Sequence, residues 1–129
     1  LEVRLAYFKQ HPEEVASYTA LNPRFVFFME EKGNPRGSLN EEVTPLRSIA
    51  TDKSIFPPAS LTFISTRLPY EKAGTRTDRI FTNFAFDQDT GGAIRAPGRC
   101  DIYIGIGDEA GKRAGGIYQE GKLYYLFLK

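Results

Sequence analysis

The chain has little of the reactive chemistry on which most enzymes rely. Its 129 residues include one cysteine and one histidine. A single cysteine excludes an internal disulfide, and a single histidine argues against a histidine metal cage or a Ser-His-Asp triad, so we predict no metal site. His11 precedes a proline at a helix start, where we expect a surface role. We expect Cys100 to be a small packing residue, because the sequence offers no second histidine to activate its thiol.

The chain also lacks an excess of charge and any long hydrophobic run. Its 17 basic and 16 acidic residues are interspersed and leave a net charge of +1, so nucleic acid is not a predicted partner. No apolar stretch approaches the ~20 residues of a membrane-spanning helix. The length is that of one domain with a single core.

Turn residues divide the rest of the sequence into short elements. The stretch 11–21 is predicted to be a helix, because Pro12 lies in its first turn and Asn22-Pro23 stops it. The aromatic run 24–30 is predicted to be a buried strand, followed by a loop over 31–40. Further strands are predicted over 46–50, 61–65, 80–87, 102–106 and 123–128, and a helical turn over 107–115. Their spacing favours a mainly β small barrel or sandwich, with much of its core supplied by Phe81, Phe84, Phe86, Tyr124, Tyr125 and Phe127.

Two aspartates stand beside the glycine turn of Asp89-Thr90-Gly91-Gly92-Ala93-Ile94. Asp89 opens it, and Asp101 lies twelve positions later in Arg99-Cys100-Asp101-Ile102-Tyr103. Neighbouring strand ends could bring the two carboxyls within several ångströms, where they would share a titration and act as general acid and then base. Carboxylate-only sites usually cleave glycosidic bonds. The alternative is that both carboxylates accept backbone N–H bonds in the turn. We expect Asp78, Asp87 and Asp108 to be solvated or to cap turns.

With Asp52-Lys53-Ser54-Ile55-Phe56-Pro57-Pro58, these stretches resemble the three-aspartate signature of the 3D domain. Stretches 21–28, 105–111 and 121–126 extend the resemblance to the C-terminal part of the membrane-bound lytic murein transglycosylase A family, over residues 5–129. It implies a six-stranded double-psi β-barrel with one or two short helices. We therefore expect one domain over 1–129, with a lead-in over 1–22 and the barrel over 23–129. The family builds its barrel from two stretches, so this one needs a missing N-terminal segment or a second chain for closure.

The resemblance also implies an activity. Such enzymes cleave the β-1,4 bond between N-acetylmuramic acid and N-acetylglucosamine without water, and form a 1,6-anhydro product. Asp101 would be the acid/base, Asp89 would tune it or stabilise charge, and Asp52 would orient the site. The assignment between Asp89 and Asp101 stays open. The candidate glycan contacts are Gln88, Thr90, Gly91 and Gly92, and no cofactor is implied.

The implied location is the periplasm of a Gram-negative bacterium, in association with the outer membrane. The parent protein would be lipid-anchored, and peptidoglycan glycan strands would be its partner. We also expect the first apolar residues, such as Val3 and Leu5, to pack against an absent neighbour. The alternative to catalysis is a non-catalytic peptidoglycan-binding module, or a structural fragment of such an enzyme.

Overall fold

The computed structural model describes residues 2–28, 30, 32–72 and 74–129. The chain divides into two compact units, Leu1–Glu31 and Lys32–Lys129. The expected division into a lead-in over 1–22 and a barrel over 23–129 stays a prediction. Within the described ranges, no helix is both long and apolar enough to cross a membrane.

The first unit consists of short helices. Helix α1 spans Glu2–Gln10, a 3-10 turn spans Pro12–Glu14, and α2 spans Val15–Ala20. Pro12 opens the turn, and two glutamates follow near the positive end of the helix dipole, so the helix predicted over 11–21 is confirmed as a turn and α2. The Tyr7 hydroxyl donates to the Glu14 carboxylate at 2.8 Å and ties α1 to this turn.

The strand predicted over 24–30 does not form in the described residues. Residues 22–28 and 30 have no regular secondary structure, while Met29 lies outside the described residues. A strand needs a neighbour to receive its backbone hydrogen bonds, and the described part of the first unit contains none. The large apolar side chains left exposed in this unit are Val3, Leu5, Tyr7, Val15, Tyr18, Leu21, Phe25, Val26, Phe27 and Phe28.

The second unit is built on one five-stranded sheet. Its strands are β1 (Ser48–Ala50), β2 (Leu61–Lys72), β3 (Thr75–Asp89), β4 (Asp101–Ile102) and β5 (Lys122–Tyr125), in the order β4-β1-β3-β2-β5. Only the β1–β3 pairing is parallel. The mainly β class is confirmed. The described residues alone form an open sheet rather than a closed six-stranded double-psi barrel, because β4 and β5 are short edge strands with no further strand between them.

The strand lengths differ from those predicted. All twelve residues of β2 pair with β3, from Leu61 opposite Phe86 to Lys72 opposite Thr75. The polar run at the start of β3 hid this hairpin, because its side chains are exposed on both faces. By contrast, only two residues of the strand region predicted near 102–106 pair with β1. The predicted helical turn over 107–115 is confirmed as α3 (Asp108–Gly115).

The two faces of the sheet differ in burial. Ile49, Ile64 and Ala85 are almost fully buried on one face, which we call the covered face. Phe81, Cys100, Ile102 and Leu123 pack against these three residues. The other face, which we call the open face, carries Ala50, Asp89, Asp101 and the half-exposed aromatic side chains Phe84, Phe86 and Tyr124. Of the six aromatic residues predicted for the core, Phe81 packs against the cluster of the covered face, whereas the prediction is wrong for the exposed Phe84, Phe86, Tyr124 and Phe127.

Candidate active site

A β-bulge decides which aspartate reaches the open face. The register between β1 and β3 pairs Ile49 with Asp87 but Ala50 with Asp89, so Gln88 is the extra residue. Ile49 and Ala50 follow one another in β1 and point to opposite faces. Asp87 and Asp89 would share a face in a regular strand. The bulge instead directs Asp87 to the covered face and Asp89 to the open face.

Asp89 is held by the loop that precedes β1. The Ser38 backbone N–H donates to Asp89 Oδ1 at 2.9 Å, and the Leu39 N–H donates to the Gln88 carbonyl at 3.4 Å. Gly37 allows this close approach, because a Cβ there would lie 2.5 Å from the Gln88 carbonyl oxygen. The predicted loop over 31–40 therefore packs on the end of β3, although Glu31 lies outside the described residues.

Asp101 lies on β4, opposite the same residue of β1 as Asp89. Ala50 pairs with Asp89 on one side and with Asp101 on the other, so the two aspartates flank it across two strand spacings, or about 10 Å between Cα atoms. Both line one cavity of about 360 Å³. The rest of its lining is Val43, Ser48, Ile49, Ala50, Thr90, Gly91, Gly92, Ala93, Ile94, Arg99, Ile102 and Tyr103. The structure therefore brings Asp89, Asp101 and three of the predicted glycan contacts into one site.

Arg99 forms a two-pronged ion pair with Asp101. Its Nε and Nη2 donate to Asp101 Oδ1 and Oδ2 at 3.0 and 3.1 Å, and its Nη1 donates to the Ala93 carbonyl at 3.1 Å. Both side chains of the pair are 49% exposed. The bonds and the charge of Asp101 raise the pKa of the Arg99 guanidinium above its ordinary value. Asp101 is thus an accessible carboxylate with one cationic partner.

The glycine turn is shaped by a buried isoleucine. Ile94 is 2% exposed, and its N–H donates to the Gly91 carbonyl at 3.0 Å. A Cβ on Gly91 would lie 3.2 Å from Ile94 Cδ1, which is tighter than ordinary packing. Gly91 therefore lets the turn close over Ile94 and leaves backbone groups of residues 90–92 facing the cavity.

Two of the predicted site residues lie outside the cavity lining. The side chain of Gln88 accepts a hydrogen bond from Ser48 Oγ and donates to the Glu42 carbonyl at 3.5 Å. Asp52 is 5% exposed, and its Oδ1 accepts from the Ser54 hydroxyl at 2.7 Å and the Ser54 N–H at 3.0 Å. These two bonds lower the pKa of Asp52. In the described structure both side chains hold backbone segments in place.

Asp87 is a buried residue whose role the sequence did not predict. Asp87 is fully buried, and its Oδ2 accepts from Thr51 Oγ1 and from the Tyr125 hydroxyl at 2.6 Å each, while Oδ1 pairs with Lys53 Nζ. Burial and the bond to Asp87 raise the pKa of Tyr125. The expectation that Asp87 is solvated or caps a turn is wrong. A usable signal was its spacing of two from Ala85, which would place it on the same face as a core residue.

Neither Cys100 nor His11 is among the described residues that line this cavity. Cys100 packs against the covered face, and burial raises the pKa of its thiol to about 12, so the predicted packing role is confirmed. Ligand atoms of His11, Glu13 and Glu14 lie within 4.8 Å of one another, the only such group in the described ranges. Exposed acidic groups of this kind are common without an ion. The absence of a metal site stays a prediction.

The chain is similar to known proteins. The family model of the 3D domain matches residues 47–127. Membrane-bound lytic murein transglycosylase A of Escherichia coli strain K12 is 33% identical over 114 residues, which are 88% of this chain and 31% of that protein. The chain thus spans under a third of this curated relative's length.

The chain also resembles solved structures of MltA proteins. MltA from Neisseria gonorrhoeae is 30% identical, with a TM-score of 0.71, over 93% of this chain and 30% of that one. Escherichia coli MltA with bound chitohexaose is 30% identical, with a TM-score of 0.64, over 88% of this chain and 34% of that one. The chain belongs to the 3D domain family.

Proposed function

We propose that this chain carries the carboxylate site of a lytic transglycosylase that cleaves the β-1,4 bond between N-acetylmuramic acid and N-acetylglucosamine in peptidoglycan. The observation that carries the proposal is the single cavity in which Asp89 and Asp101 flank Ala50 beside a glycine turn. The names of the relatives support it, and one of them binds chitohexaose, a β-1,4-linked glycan.

The reaction needs only one proton-transferring group. Protonated Asp101 gives its proton to the glycosidic oxygen as the bond from that oxygen to C1 of the muramyl residue breaks. It then takes the proton of the muramyl 6-hydroxyl as O6 bonds to C1, which yields the 1,6-anhydro product and restores the acid. The attack is intramolecular, so it gains from proximity and uses no water. This chemistry suits the cavity, whose described lining contains neither histidine nor cysteine.

The remaining site residues have supporting roles in this proposal. The Asp89 carboxylate, fixed by the Ser38 N–H, stabilises the positive charge that develops at C1. Thr90, Gly91 and Gly92 contact the glycan, and the two glycines allow it to approach the backbone closely. Gln88 and Asp52 act through the segments that they hold.

We also propose a wider setting for the site. Further strands, from another segment or from a second chain, would complete a six-stranded double-psi barrel. The half-exposed Phe84, Phe86 and Tyr124 support this, since they offer apolar surface for such strands to cover. The name of the curated relatives includes "membrane-bound", which supports a lipid-anchored parent in the periplasm at the outer membrane.

The test is product analysis on purified peptidoglycan sacculi. We expect the chain to release 1,6-anhydro-muropeptides, detected by mass spectrometry, and Asp101→Asn to lower this release about 10³-fold. Asp78→Asn is the matched control, because Asp78 is an exposed acid on the hairpin that accepts a bond from Gln119. If Asp89→Asn abolishes release while Asp101→Asn retains it, the two roles are exchanged.

A non-catalytic binding or structural role is the second candidate. The open aromatic face and the coverage of under a third of the relative's length favour it. It predicts that sacculi retain the chain but release no anhydro-muropeptide. Circular dichroism and size-exclusion chromatography then separate a stable binding module from a fragment that folds only with its missing partner.

A further inference from the structure

Arg99 makes contacts that the proposed reaction does not use. Its guanidinium joins three points of the cavity wall: both carboxylate oxygens of Asp101 and the carbonyl oxygen of Ala93. The first two belong to β4, and the third belongs to the glycine turn. Arg99 therefore fixes the orientation of the Asp101 carboxyl and its position relative to the turn.

The same contacts conflict with proton donation. The guanidinium fork donates a hydrogen bond to each carboxylate oxygen, so neither oxygen is free to present a proton to a substrate. A general acid must carry a proton on one oxygen and present it to the glycosidic oxygen, so one of the two Arg99 bonds to Asp101 must be given up. The pair seen here is thus a resting arrangement that has to loosen before the first proton transfer.

Other charged groups around Asp101 do not replace Arg99. Asp89 and Tyr103 line the same cavity, and Arg99 is the only cationic side chain in its described lining. Cys100 adjoins Asp101 in sequence, but burial raises the pKa of its thiol to about 12, so it is neutral near pH 7. The charge balance at Asp101 therefore depends mainly on Arg99.

We propose that Arg99 is a positioning residue. It holds the Asp101 carboxyl in place and releases one carboxyl oxygen of Asp101 when a glycan enters the cavity. The proposal rests on the proposed lytic transglycosylase function. On release, Asp101 takes one proton from solvent, donates it to the glycosidic oxygen and regains one from the muramyl 6-hydroxyl. When the product leaves, that proton returns to solvent and the ion pair forms again.

Two substitutions separate the charge of Arg99 from its fork geometry. In Arg99→Gln we expect kcat to fall about tenfold, because Asp101 loses its orientation. KM should change little, because Arg99 makes none of the proposed glycan contacts. Arg99→Lys keeps a cation that can hold one carboxylate oxygen but lacks the fork, so it should recover only part of the lost kcat.

Arg67→Gln is the matched control, since Arg67 is exposed on the hairpin and bonds only the Asp78 carbonyl. Its kcat and KM should match those of the wild type. A purely structural role for Arg99 would lower kcat only in proportion to the folded fraction seen by circular dichroism, with no recovery in Arg99→Lys, and that result would overturn the proposal.

A second measurement does not depend on turnover. In ¹⁵N NMR spectra of the whole chain, the Arg99 Nε–H should exchange slowly with water, and faster in Asp101→Asn. Adding chitohexaose should speed this exchange about tenfold or more if the glycan loosens the pair. If chitohexaose shifts the amide signals of residues 90–93 but leaves Arg99 unchanged, the Arg99 proposal fails alone. If no signal responds, the proposed function fails with it.

Discussion

Two aspartates in β3, separated by one residue, have opposite environments. Asp87 is fully buried, and the side chains of Thr51, Lys53 and Tyr125 saturate its carboxylate. Asp89 receives one bond from a backbone N–H and lines a cavity. The bulge at Gln88 separates them by sending one to each face of the sheet.

The difference shows that burial alone does not identify the aspartates that line the cavity. A carboxylate taken out of water must find hydrogen-bond partners inside the protein, and a fully buried one is out of reach of a substrate. Asp87 meets that description and stabilises the sheet. Asp89 and Asp101 keep oxygens within reach of the cavity, so they are the pair that can meet a glycan.

Of the measurements that would sharpen this comparison, the largest expected effect is on the reactivity of the Cys100 thiol. It directly precedes Asp101 but packs on the covered face, and its thiol pKa is raised to about 12 from an ordinary value of 9.0. Because the thiolate is the reactive form, we expect its reaction with a disulfide reagent at pH 8 to be about 10³-fold slower than in the chain unfolded by guanidinium. Equal rates in the two states would place Cys100 on the accessible side with Asp101.

The next largest expected effect is on stability, when the ion pair between Asp87 and Lys53 on the covered face is broken. Asp87→Leu leaves Lys53 without its partner, and we expect the free energy of unfolding to fall by about 3 kcal/mol. Lys53→Met should cost a similar amount, whereas the double variant should cost clearly less than the sum. Urea unfolding followed by circular dichroism measures all three.

The matched comparison replaces the ion pair of the open face in the same way, by Asp101→Leu and Arg99→Met. That pair is half exposed, so its loss should affect stability less than the loss of Asp87 and Lys53 while removing activity. A stability loss as large as that of the covered-face pair would contradict the division between a structural and a reactive aspartate.

The sequence singled out the two aspartates that line the cavity, whereas it did not predict how the strands pair. The aspartates beside Gly91 and Gly92 stand out, because acidic residues next to apolar strands are uncommon and need an explanation. The bulge was not predictable, since it depends on how β1 pairs with β3 and no local pattern records that register. For the same reason Asp87 and Asp89 looked alike in sequence. The strand predicted over 24–30 failed because strand formation depends on a partner, which composition cannot supply.

The smallest expected effect concerns Asp52, the third aspartate of the motif. The Ser54 hydroxyl and N–H lower its pKa below the ordinary value of 3.8. A lowered pKa means that Asp52 stabilises the fold above that ordinary value and that this contribution is lost as pH falls through the lower folded value. Asp52→Asn should therefore reduce stability slightly at neutral pH and flatten part of the acid-induced loss as the pH falls from neutral to below 3.8.

Ser54→Ala is the matched control, because it removes the hydroxyl donor and keeps the carboxylate. Urea midpoints measured across that pH range should place Ser54→Ala between Asp52→Asn and the wild type. Glycan turnover should fall little in either variant, since Asp52 lies outside the cavity lining. If Asp52→Asn abolishes turnover and leaves the acid-induced stability loss unchanged, the Asp52 carboxylate acts in the reaction.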